Sequence, residues 1–318
     1  MSVKILITGA SGQLGSVIAT ALKNKYGTNN VILSDLIANA NADGIFEQLD
    51  ATDKDAMEAI VKKYQITQIY HLAAILSAKG ESKPLKTWDI NLKSFFNVLE
   101  IAKEQHLDKV FFPSSIAVFG NDVPKIKTPQ NAVSNATTVY GMSKTAGENW
   151  ANYYFTKYGL DVRSLRYPGI ISHQSLPGGG TTDYAVDIYH KAAKEEIYTC
   201  YLQKDATLPM IYIDDAVRAT LELMEAPKEN ITIRTSYNLQ GISFNPEEIV
   251  TSIRKWYPDF KVNYTPDFRQ KIAESWPFSL DDVAAQKDWG WQPRYDLETI
   301  SNEMLSALKK NYNRQLQY

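Results

Sequence analysis

The chain has 318 residues, 44% of them apolar, so it can bury a substantial core as one large or two cooperating domains. Lys and Arg total 34 against 36 Asp and Glu, and this formal net charge of −2 gives no electrostatic reason to expect nucleic acid or an anionic membrane as a partner. The single cysteine, Cys200, excludes an intrachain disulfide and fits a reducing compartment. No apolar run is long enough to span a bilayer, and a strand pattern that starts at Val3 leaves no room for a leader peptide, so we expect a cytoplasmic protein.

Short apolar runs alternate with amphipathic helical segments through the first half of the chain. The runs of strand length are Val3–Thr8, Val31–Asp35, one ending at Asp50, Thr67–Leu72, one ending at Ser115, and Asp161–Tyr167. The helical segments between them include Asp53–Tyr64, Leu85–Gln105 and Tyr140–Lys157. This alternation predicts an α/β fold with a doubly wound parallel sheet, whose ligands bind at the carboxyl ends of the strands. In the second helical segment, we expect Trp88, Leu92, Phe95, Phe96 and Leu99 to face the core.

The sequence "TGASGQLG" places Gly9, Gly12 and Gly15 directly after the first strand and at the start of a helix. A tight turn, the close approach of a pyrophosphate and helix–strand packing each require a residue without Cβ. Asp35 ends the second strand, where a carboxylate accepts hydrogen bonds from both ribose hydroxyls and repels a 2′-phosphate, so the pattern predicts NAD rather than NADP. Further residues expected around this cofactor are Gln13, Leu14, Leu36, Ala51, Leu72, Ala73 and Ala74.

Two side chains near these strand ends have alternative interpretations. Asp50 either contacts the adenine amine or caps the next helix, and the sequence favours neither. His71 is better explained as a buried, hydrogen-bonded residue than as a catalytic one. The four histidines, at positions 71, 106, 173 and 190, show no metal-ligand spacing, so we expect no metal site.

The sequence "VYGMSK" sets Tyr140 and Lys144 four residues apart, so that on a helix both side chains share one face. An ordinary tyrosine has a pKa of about 10, whereas a general base works best near 7. We expect the Lys144 ammonium and a cationic nicotinamide ring to lower the pKa of Tyr140. Ser115, at the end of the fifth strand, offers a hydroxyl that positions the reacting oxygen.

The segments "TGASGQLG", "SSIAVFG", "YGMSK" and "RYPGI" resemble the extended short-chain dehydrogenase/reductase family over essentially the whole chain. The resemblance implies a Rossmann domain and a catalytic set of Ser115, Tyr140 and Lys144. It also implies nicotinamide contacts around Tyr167–Ile170, with Tyr167 and Ile170 among them, a ribose contact from Lys144 and a supporting role for Asn91 beside the cofactor. Finally, it implies a homodimer formed through the helices near residues 85–105 and 140–157.

The expected division of the chain follows from this fold. Residues 1–172 form the NAD-binding Rossmann domain, to which residues 208–242 return. Residues 173–207 and 243–318 form a smaller α/β substrate-binding lobe on the C-terminal side.

Four segments of that lobe, "PGGGTTDYAV", "LPMIYIDDA", "ESWPFSLDD" and "DWGW", resemble the branch of the family that oxidises L-threonine. This small-molecule substrate needs partners for a carboxylate and an ammonium. For the carboxylate we expect the N–H groups of Gly179 and Gly180, the Thr181 hydroxyl and Ser77. Asp183 is expected to pair with the ammonium, directly or through the loop it orders, unless it only caps the following helix. Trp276 is expected to supply an apolar wall.

The resulting prediction is oxidation of L-threonine to 2-amino-3-oxobutyrate, with Tyr140 as the general base. The alternative is a nucleotide-sugar 4-epimerase or dehydratase that recycles bound NAD. Relatives with such diphosphate substrates usually have an arginine in the segment that corresponds to 208–216, where this sequence has "LPMIYIDDA". A non-catalytic NAD sensor is disfavoured because Tyr140 and Lys144 are both present.

Overall fold

A computed structural model describes residues 3–39, 42–174, 176 and 178–315. Its strands are β1 (Ile5–Thr8), β2 (Val31–Asp35), β3 (Phe46–Gln48), β4 (Gln68–His71), β5 (Lys109–Ser115), β6 (Val162–Tyr167), β7 (Gly169–Ile171), β8 (Tyr198–Cys200), β9 (Leu208–Tyr212), β10 (Tyr237–Asn238), β11 (Ile242–Phe244) and β12 (Val262–Tyr264). Its α-helices are α1 (Gln13–Tyr26), α2 (Lys54–Tyr64), α3 (Ser77–Gly80), α4 (Pro84–Glu104), α5 (Val139–Tyr158), α6 (Tyr184–Ala193), α7 (Ile213–Glu225), α8 (Pro246–Arg254), α9 (Phe268–Ser275), α10 (Val283–Trp289) and α11 (Leu297–Gln315).

Seven of the strands form a central parallel sheet in the order β10-β6-β5-β4-β1-β2-β3. Every neighbouring pair in it is parallel. The strand order reverses between β1 and β4, and in doubly wound sheets such a reversal opens a crevice at the carboxyl ends of the strands. This sheet confirms the predicted Rossmann-like fold and fixes where a ligand binds.

Two smaller sheets lie outside the central one. Strands β11, β9 and β7 form a three-stranded sheet, in which β9 pairs antiparallel with β11 and parallel with β7. Strands β12 and β8 form a parallel pair. The segment 208–242 therefore contributes β10 to the central sheet, whereas its first strand, β9, belongs to a separate sheet.

The helices begin and end where local chemistry allows. Asp53 accepts a hydrogen bond from the Ala56 N–H at the start of α2, and Pro84 opens α4. Gly159 ends α5 in the left-handed conformation. In the described part of the chain, no helix combines the length and apolar character needed to cross a membrane.

The core lies on both faces of the central sheet. One cluster packs α2 and α4 against it, and the other joins α1, α6 and α7 with the smaller sheets. Leu92, Phe95 and Leu99 are buried as expected, but Trp88 is not, because 40% of its surface is exposed. The prediction for Trp88 is wrong because α4 carries a second apolar face that points away from the sheet.

Candidate active site

A cleft opens at the carboxyl ends of β1, β4 and β5, at the reversal of strand order. Its cavity volume is about 250 Å³. One wall comes from the glycine-rich turn before α1, and the opposite wall comes from the lobe that contains Thr181 and Trp276. The predicted site residues that line it are Gly9, Gly12, Gln13, Leu14, Gly15, Leu72, Ala74, Ser77, Ser115, Tyr140, Lys144, Tyr167, Ile170, Gly180, Thr181, Asp183 and Trp276.

Each of the three positions in the turn requires glycine for a different structural reason. Gly9 has a φ of +74°, and a Cβ there would lie 2.6 Å from the Ala73 nitrogen. A Cβ at Gly15 would lie 2.2 Å from the Gly9 carbonyl oxygen. By contrast, the nearest protein atom to a Cβ at Gly12 would be 3.4 Å away, an ordinary contact. Gly12 therefore leaves a cradle that a side chain would fill, as a pyrophosphate-binding turn requires.

The side-chain nitrogen of Gln13 provides a second indication of a ligand at this turn. It is buried and lacks a hydrogen-bond partner among the residues that the structure describes. A buried donor without a partner is costly, and here it lies in the cleft at the N-terminus of α1. The first turn of α1 contains no acidic residue, as suits an anion at a helix N-terminus. These features fit the diphosphate of a dinucleotide.

Asp35 connects the second strand to the glycine-rich turn. Its carboxylate accepts hydrogen bonds from the Ser11 N–H at 3.0 Å and the Leu36 N–H at 2.8 Å. The Leu36 side chain beside it is 60% exposed, an apolar surface of the kind that an adenine ring covers. Asp35 ends β2 and Leu36 follows it, and Asp50 and Ala51 follow β3. Both strands lie on the far side of β1 in the sheet, and none of these four residues lines the cleft.

The structure removes one of the two interpretations of Asp50. The side chain that caps α2 is Asp53, whereas Asp50 accepts hydrogen bonds from the N–H and the hydroxyl of Thr52 at 2.9 and 2.8 Å. These bonds hold the pKa of Asp50 below its usual value. A capping role for Asp50 is therefore wrong, and its contact with adenine stays a prediction.

At the end of β4, small residues lie behind the glycine-rich turn. Ala73 contacts the back of Gly9, so Leu72 and Ala74 line the cleft while Ala73 does not. His71 is buried, and its ring nitrogens contact the hydroxyls of Thr8 at 2.8 Å and Ser94 at 3.3 Å. Burial lowers the pKa of His71 to about 3, and the Lys144 charge adds to the shift, so the ring is neutral.

Asn91 does not line the cleft. Its side chain accepts a hydrogen bond from the Ile75 N–H at 2.8 Å and donates to the Ile75 carbonyl at 3.1 Å. It also donates to Ser143, whose hydroxyl donates to the Tyr140 carbonyl. Asn91 thus ties the loop that leads to Ser77 to the helix that carries Tyr140, and its predicted contact with the cofactor stays a prediction.

The residues proposed as catalytic converge on one side of the cleft. Ser115 ends β5, and Tyr140 and Lys144 lie on the first turns of α5. A Cβ at Gly141 would lie 2.0 Å from the Ala117 carbonyl oxygen, so α5 packs tightly on the turn that follows Ser115. This packing brings the Tyr140 and Ser115 hydroxyls together, while the Lys144 nitrogen lies 5.5 Å from the centre of the Tyr140 ring.

Burial dominates the ionisation of both groups. It raises the pKa of Tyr140 to about 12, and the hydrogen bond with Ser115 only partly opposes this shift. Burial also lowers the pKa of Lys144 to about 7, with the Glu148 carboxylate opposing. We expected Lys144 to help lower the pKa of Tyr140, but the net shift of this pKa is upward because desolvation penalises the phenolate.

A buried ionic network lies behind Lys144 and was missed in the sequence. Glu148, four residues after Lys144, accepts a hydrogen bond from the cleft residue Ser114 at 2.6 Å. It also accepts two from Arg166, at 2.9 and 2.7 Å. The i, i+4 spacing after Lys144 is the signal that would have identified Glu148. Other lining residues missed in the sequence are Leu76, Pro113, Ile116 and Thr182.

The loop before α6 does not have the arrangement that we predicted. The N–H groups of Gly179 and Gly180 both donate to the Asp183 carboxylate at 2.8 Å, and Gly179 does not line the cleft. Their assignment to a substrate carboxylate is therefore wrong in this conformation, because Asp183 already uses both donors. Asp183 is the N-cap residue of α6, as the alternative predicted, but its side chain makes no capping hydrogen bond to that helix. Asp183 instead orders the glycine loop.

Two other donors belong to residues that line the cleft. The Thr181 hydroxyl and the Trp276 indole nitrogen are buried, and neither has a partner within the described residues. Both residues line the cleft with Ser77, itself buried at the start of α3. Trp276 therefore offers a hydrogen-bond donor as well as the apolar wall that we expected.

Comparisons with known proteins agree with this geometry. A model of the NAD dependent epimerase/dehydratase family matches residues 5–239. An uncharacterized epimerase/dehydratase of Staphylococcus aureus is 45% identical over 96% of this chain and 97% of its own length. Among solved structures, the holo form of a GalE-like L-threonine dehydrogenase from Cupriavidus necator is 51% identical, with a TM-score of 0.95 over 96% of this chain and 100% of that one. The L-threonine dehydrogenase of Clostridium difficile is 46% identical, with a TM-score of 0.95 over 98% of both chains.

The cradle at Gly12, the unpartnered Gln13 donor and the family match agree on the cofactor, which is NAD. These findings and the sheet order establish the family. The chain belongs to the NAD dependent epimerase/dehydratase family, the extended branch of the short-chain dehydrogenases/reductases.

Proposed function

We propose that this protein is an NAD-dependent L-threonine 3-dehydrogenase that converts L-threonine to 2-amino-3-oxobutyrate. One observation carries the proposal. A single cleft has Ser115, Tyr140 and Lys144 at one side and the unpartnered donors of Thr181 and Trp276 at the other. A small hydroxy amino acid has a hydroxyl for the first group and a carboxylate for the second. The threonine dehydrogenases among the solved structures support this choice of substrate.

The carboxylate of the substrate is bound by the Thr181 hydroxyl, the Trp276 N–H and the Ser77 hydroxyl. The ammonium pairs with Asp183, whose Oδ2 accepts the two glycine N–H groups. Burial raises the pKa of Asp183, and its backbone hydrogen bonds oppose the shift. An ammonium at this carboxylate favours the ionised form further.

The chemical step uses the other side of the cleft. Bound NAD+ supplies a hydride acceptor. Tyr140 takes the proton of the substrate hydroxyl at its phenolic oxygen, and Ser115 donates a hydrogen bond to the oxygen as it becomes a carbonyl. In its protonated form Lys144 holds positive charge beside Tyr140 and favours the phenolate, and the Glu148 carboxylate opposes the burial that lowers the pKa of Lys144.

The alternative, a nucleotide-sugar epimerase, requires a cation for the substrate diphosphate. Among the cleft-lining residues that the structure describes, Lys144 is the sole cation. Arg218 forms ion pairs with Asp215 and Glu222 and stacks on Trp291, away from the cleft. This arrangement favours the threonine reaction.

The test is absorbance at 340 nm with NAD+ and a panel of L-threonine, L-serine, L-allo-threonine, 3-hydroxybutyrate and UDP-glucose. The proposal expects NADH with L-threonine much faster than with the other compounds. If no compound of the panel produces NADH and NAD co-purifies with the protein, the result would instead support the epimerase.

A further inference from the structure

The loop that carries Thr181 is anchored from outside the cleft by one side chain, Tyr201. Its hydroxyl donates to the Thr181 carbonyl at 3.2 Å, with the Gly180 carbonyl at 3.5 Å. One phenolic group therefore holds the backbone of the segment that turns into α6.

Tyr201 is itself held in place by Arg269 in the first turn of α9. The guanidinium carbon of Arg269 lies 3.1 Å from the centre of the Tyr201 ring, a stacked cation–π contact. Asp267 fixes the guanidinium through hydrogen bonds at 2.6 to 3.1 Å, and its carboxylate also accepts the Arg269 N–H at the start of α9. The Asp267 N–H in turn donates to the Tyr201 carbonyl at 3.2 Å.

The same helix reaches the cleft at its other end. α9 ends at Ser275, whose hydroxyl lies 2.9 Å from that of Thr137, just before the catalytic helix α5. The next residue is Trp276, which lines the cleft. One short helix thus connects the anchor of the Thr181 loop, the Trp276 indole and the start of α5.

From these contacts, and resting on the proposed function, we propose that Tyr201, held by Arg269, is a positioning residue that sets the affinity for the substrate carboxylate. It touches neither the cofactor nor the reacting atoms. It fixes the Thr181 backbone and thereby orients the Thr181 hydroxyl so that it binds the same substrate carboxylate as the Trp276 N–H. Loss of the Tyr201 hydroxyl weakens substrate binding and leaves the hydride step unchanged.

The test compares Tyr201→Phe with Tyr198→Phe. Tyr198 is a matched control because it is a buried tyrosine of the adjacent strand β8 whose hydroxyl has no partner in the described part of the chain. At saturating NAD+, Tyr201→Phe is expected to raise the KM for L-threonine about tenfold, roughly the equivalent of one hydrogen bond, with kcat changed by less than about twofold. Tyr198→Phe is expected to change neither. Arg269→Lys keeps the charge but loses the planar stack, so a smaller rise in KM is expected.

Amide hydrogen exchange, measured without substrate, provides the second readout. Tyr201→Phe is expected to speed exchange at Gly179 and Gly180, and Tyr198→Phe is not. A KM within about twofold of wild type, in a chain that oxidises L-threonine, overturns the proposal. Unchanged exchange at the loop also overturns it, whatever the substrate is. A wild-type chain that is inactive on L-threonine refutes the proposed function, and the exchange measurement then decides the anchoring by itself.

Discussion

At the scale of single residues, burial decides the ionisation of the titratable groups in and behind the cleft. Tyr140, Lys144, His71 and Asp183 all have pKa values shifted first by desolvation, and each shift favours the neutral form. The cleft is thus a site of low polarity in which added charge has a large effect. A cationic cofactor ring is an added charge of this kind.

The first prediction at this scale concerns the general base. Tyr140→Phe removes the phenolic oxygen and keeps the ring, so we expect turnover of L-threonine to fall at least about a hundredfold, the usual contribution of a general base. The affinity for NAD+, measured by calorimetry, is expected to change little. Tyr153→Phe, on an exposed turn of the same helix, is the matched control and should keep full activity. Full activity in Tyr140→Phe would refute the mechanism.

The second prediction at this scale concerns how the free energy of unfolding depends on pH. The pKa of His71 is about 3 in the folded protein, below the ordinary value of 6.5. Between these two values the unfolded chain binds a proton that the folded chain does not, so the free energy of unfolding decreases as the pH falls through this window. The expected contribution is about 1.4 kcal/mol per pH unit below the ordinary pKa.

Urea unfolding at a series of pH values measures this dependence. His173 and His190 also have lowered pKa values and contribute with the same sign, so the wild-type slope includes all three residues. His71→Gln should reduce the slope by the His71 share. An identical slope in the two proteins would contradict the assignment.

At the scale of elements, the strands of the central sheet were predicted closely. The predicted β2 and β5 ends, Asp35 and Ser115, are the observed ones, because continuous apolar runs bounded by polar or glycine residues mark buried parallel strands. Strands β7, β9 and β11 were not paired in the prediction. These strands are short, and each forms only by pairing with a strand far along the chain. The local sequence pattern does not encode such a pairing.

The glycine-rich turn gives a prediction that separates folding from binding. Gly15→Ala places a Cβ against the Gly9 carbonyl, which is backbone and cannot move aside. We expect a loss of about 2 kcal/mol or more in the free energy of unfolding. Gly12→Ala meets only an ordinary contact, so we expect a loss below about 1 kcal/mol and a weaker affinity for NAD+.

Urea unfolding without NAD+ and calorimetric titration with NAD+ distinguish the two variants. Equal destabilisation by both substitutions would show that Gly12 is also required for folding. Unchanged affinity for NAD+ in Gly12→Ala would mean that the cradle at Gly12 does not contact the cofactor.

At the scale of the whole molecule, α4 and α5 present an aromatic outer face. Trp150 contacts Phe96 and Tyr153 edge-on at 5.1 and 5.4 Å between ring centres, and Trp88, Trp150 and Tyr153 each remain about 40% exposed. An exposed apolar face of this kind marks a contact surface. We therefore propose a homodimer in which α4 and α5 of two chains form a four-helix contact.

Sedimentation equilibrium tests the dimer. The wild type should have the mass of two chains, and Trp150→Arg should shift it towards one, because the substitution places a charge in the middle of the apolar face. Trp256→Arg is the control, since Trp256 is equally exposed but follows α8 on another part of the surface. A wild-type monomer, or a dimer unaffected by Trp150→Arg, would argue against this interface.

The sequence by itself determined the doubly wound sheet, the glycine-rich turn, the acidic residue after the second strand and the residues Ser115, Tyr140 and Lys144. Each of these depends on spacing along the chain or on the allowed backbone of one residue, and both can be read locally. Tertiary structure decided that Asp183 occupies the Gly179 and Gly180 donors, that the Thr181 and Trp276 donors have no partner among the described residues, and that Tyr201 and Arg269 hold the loop. The physical reason is that hydrogen-bond partners and burial are set by residues distant in sequence, so the availability of a donor is a property of the folded chain.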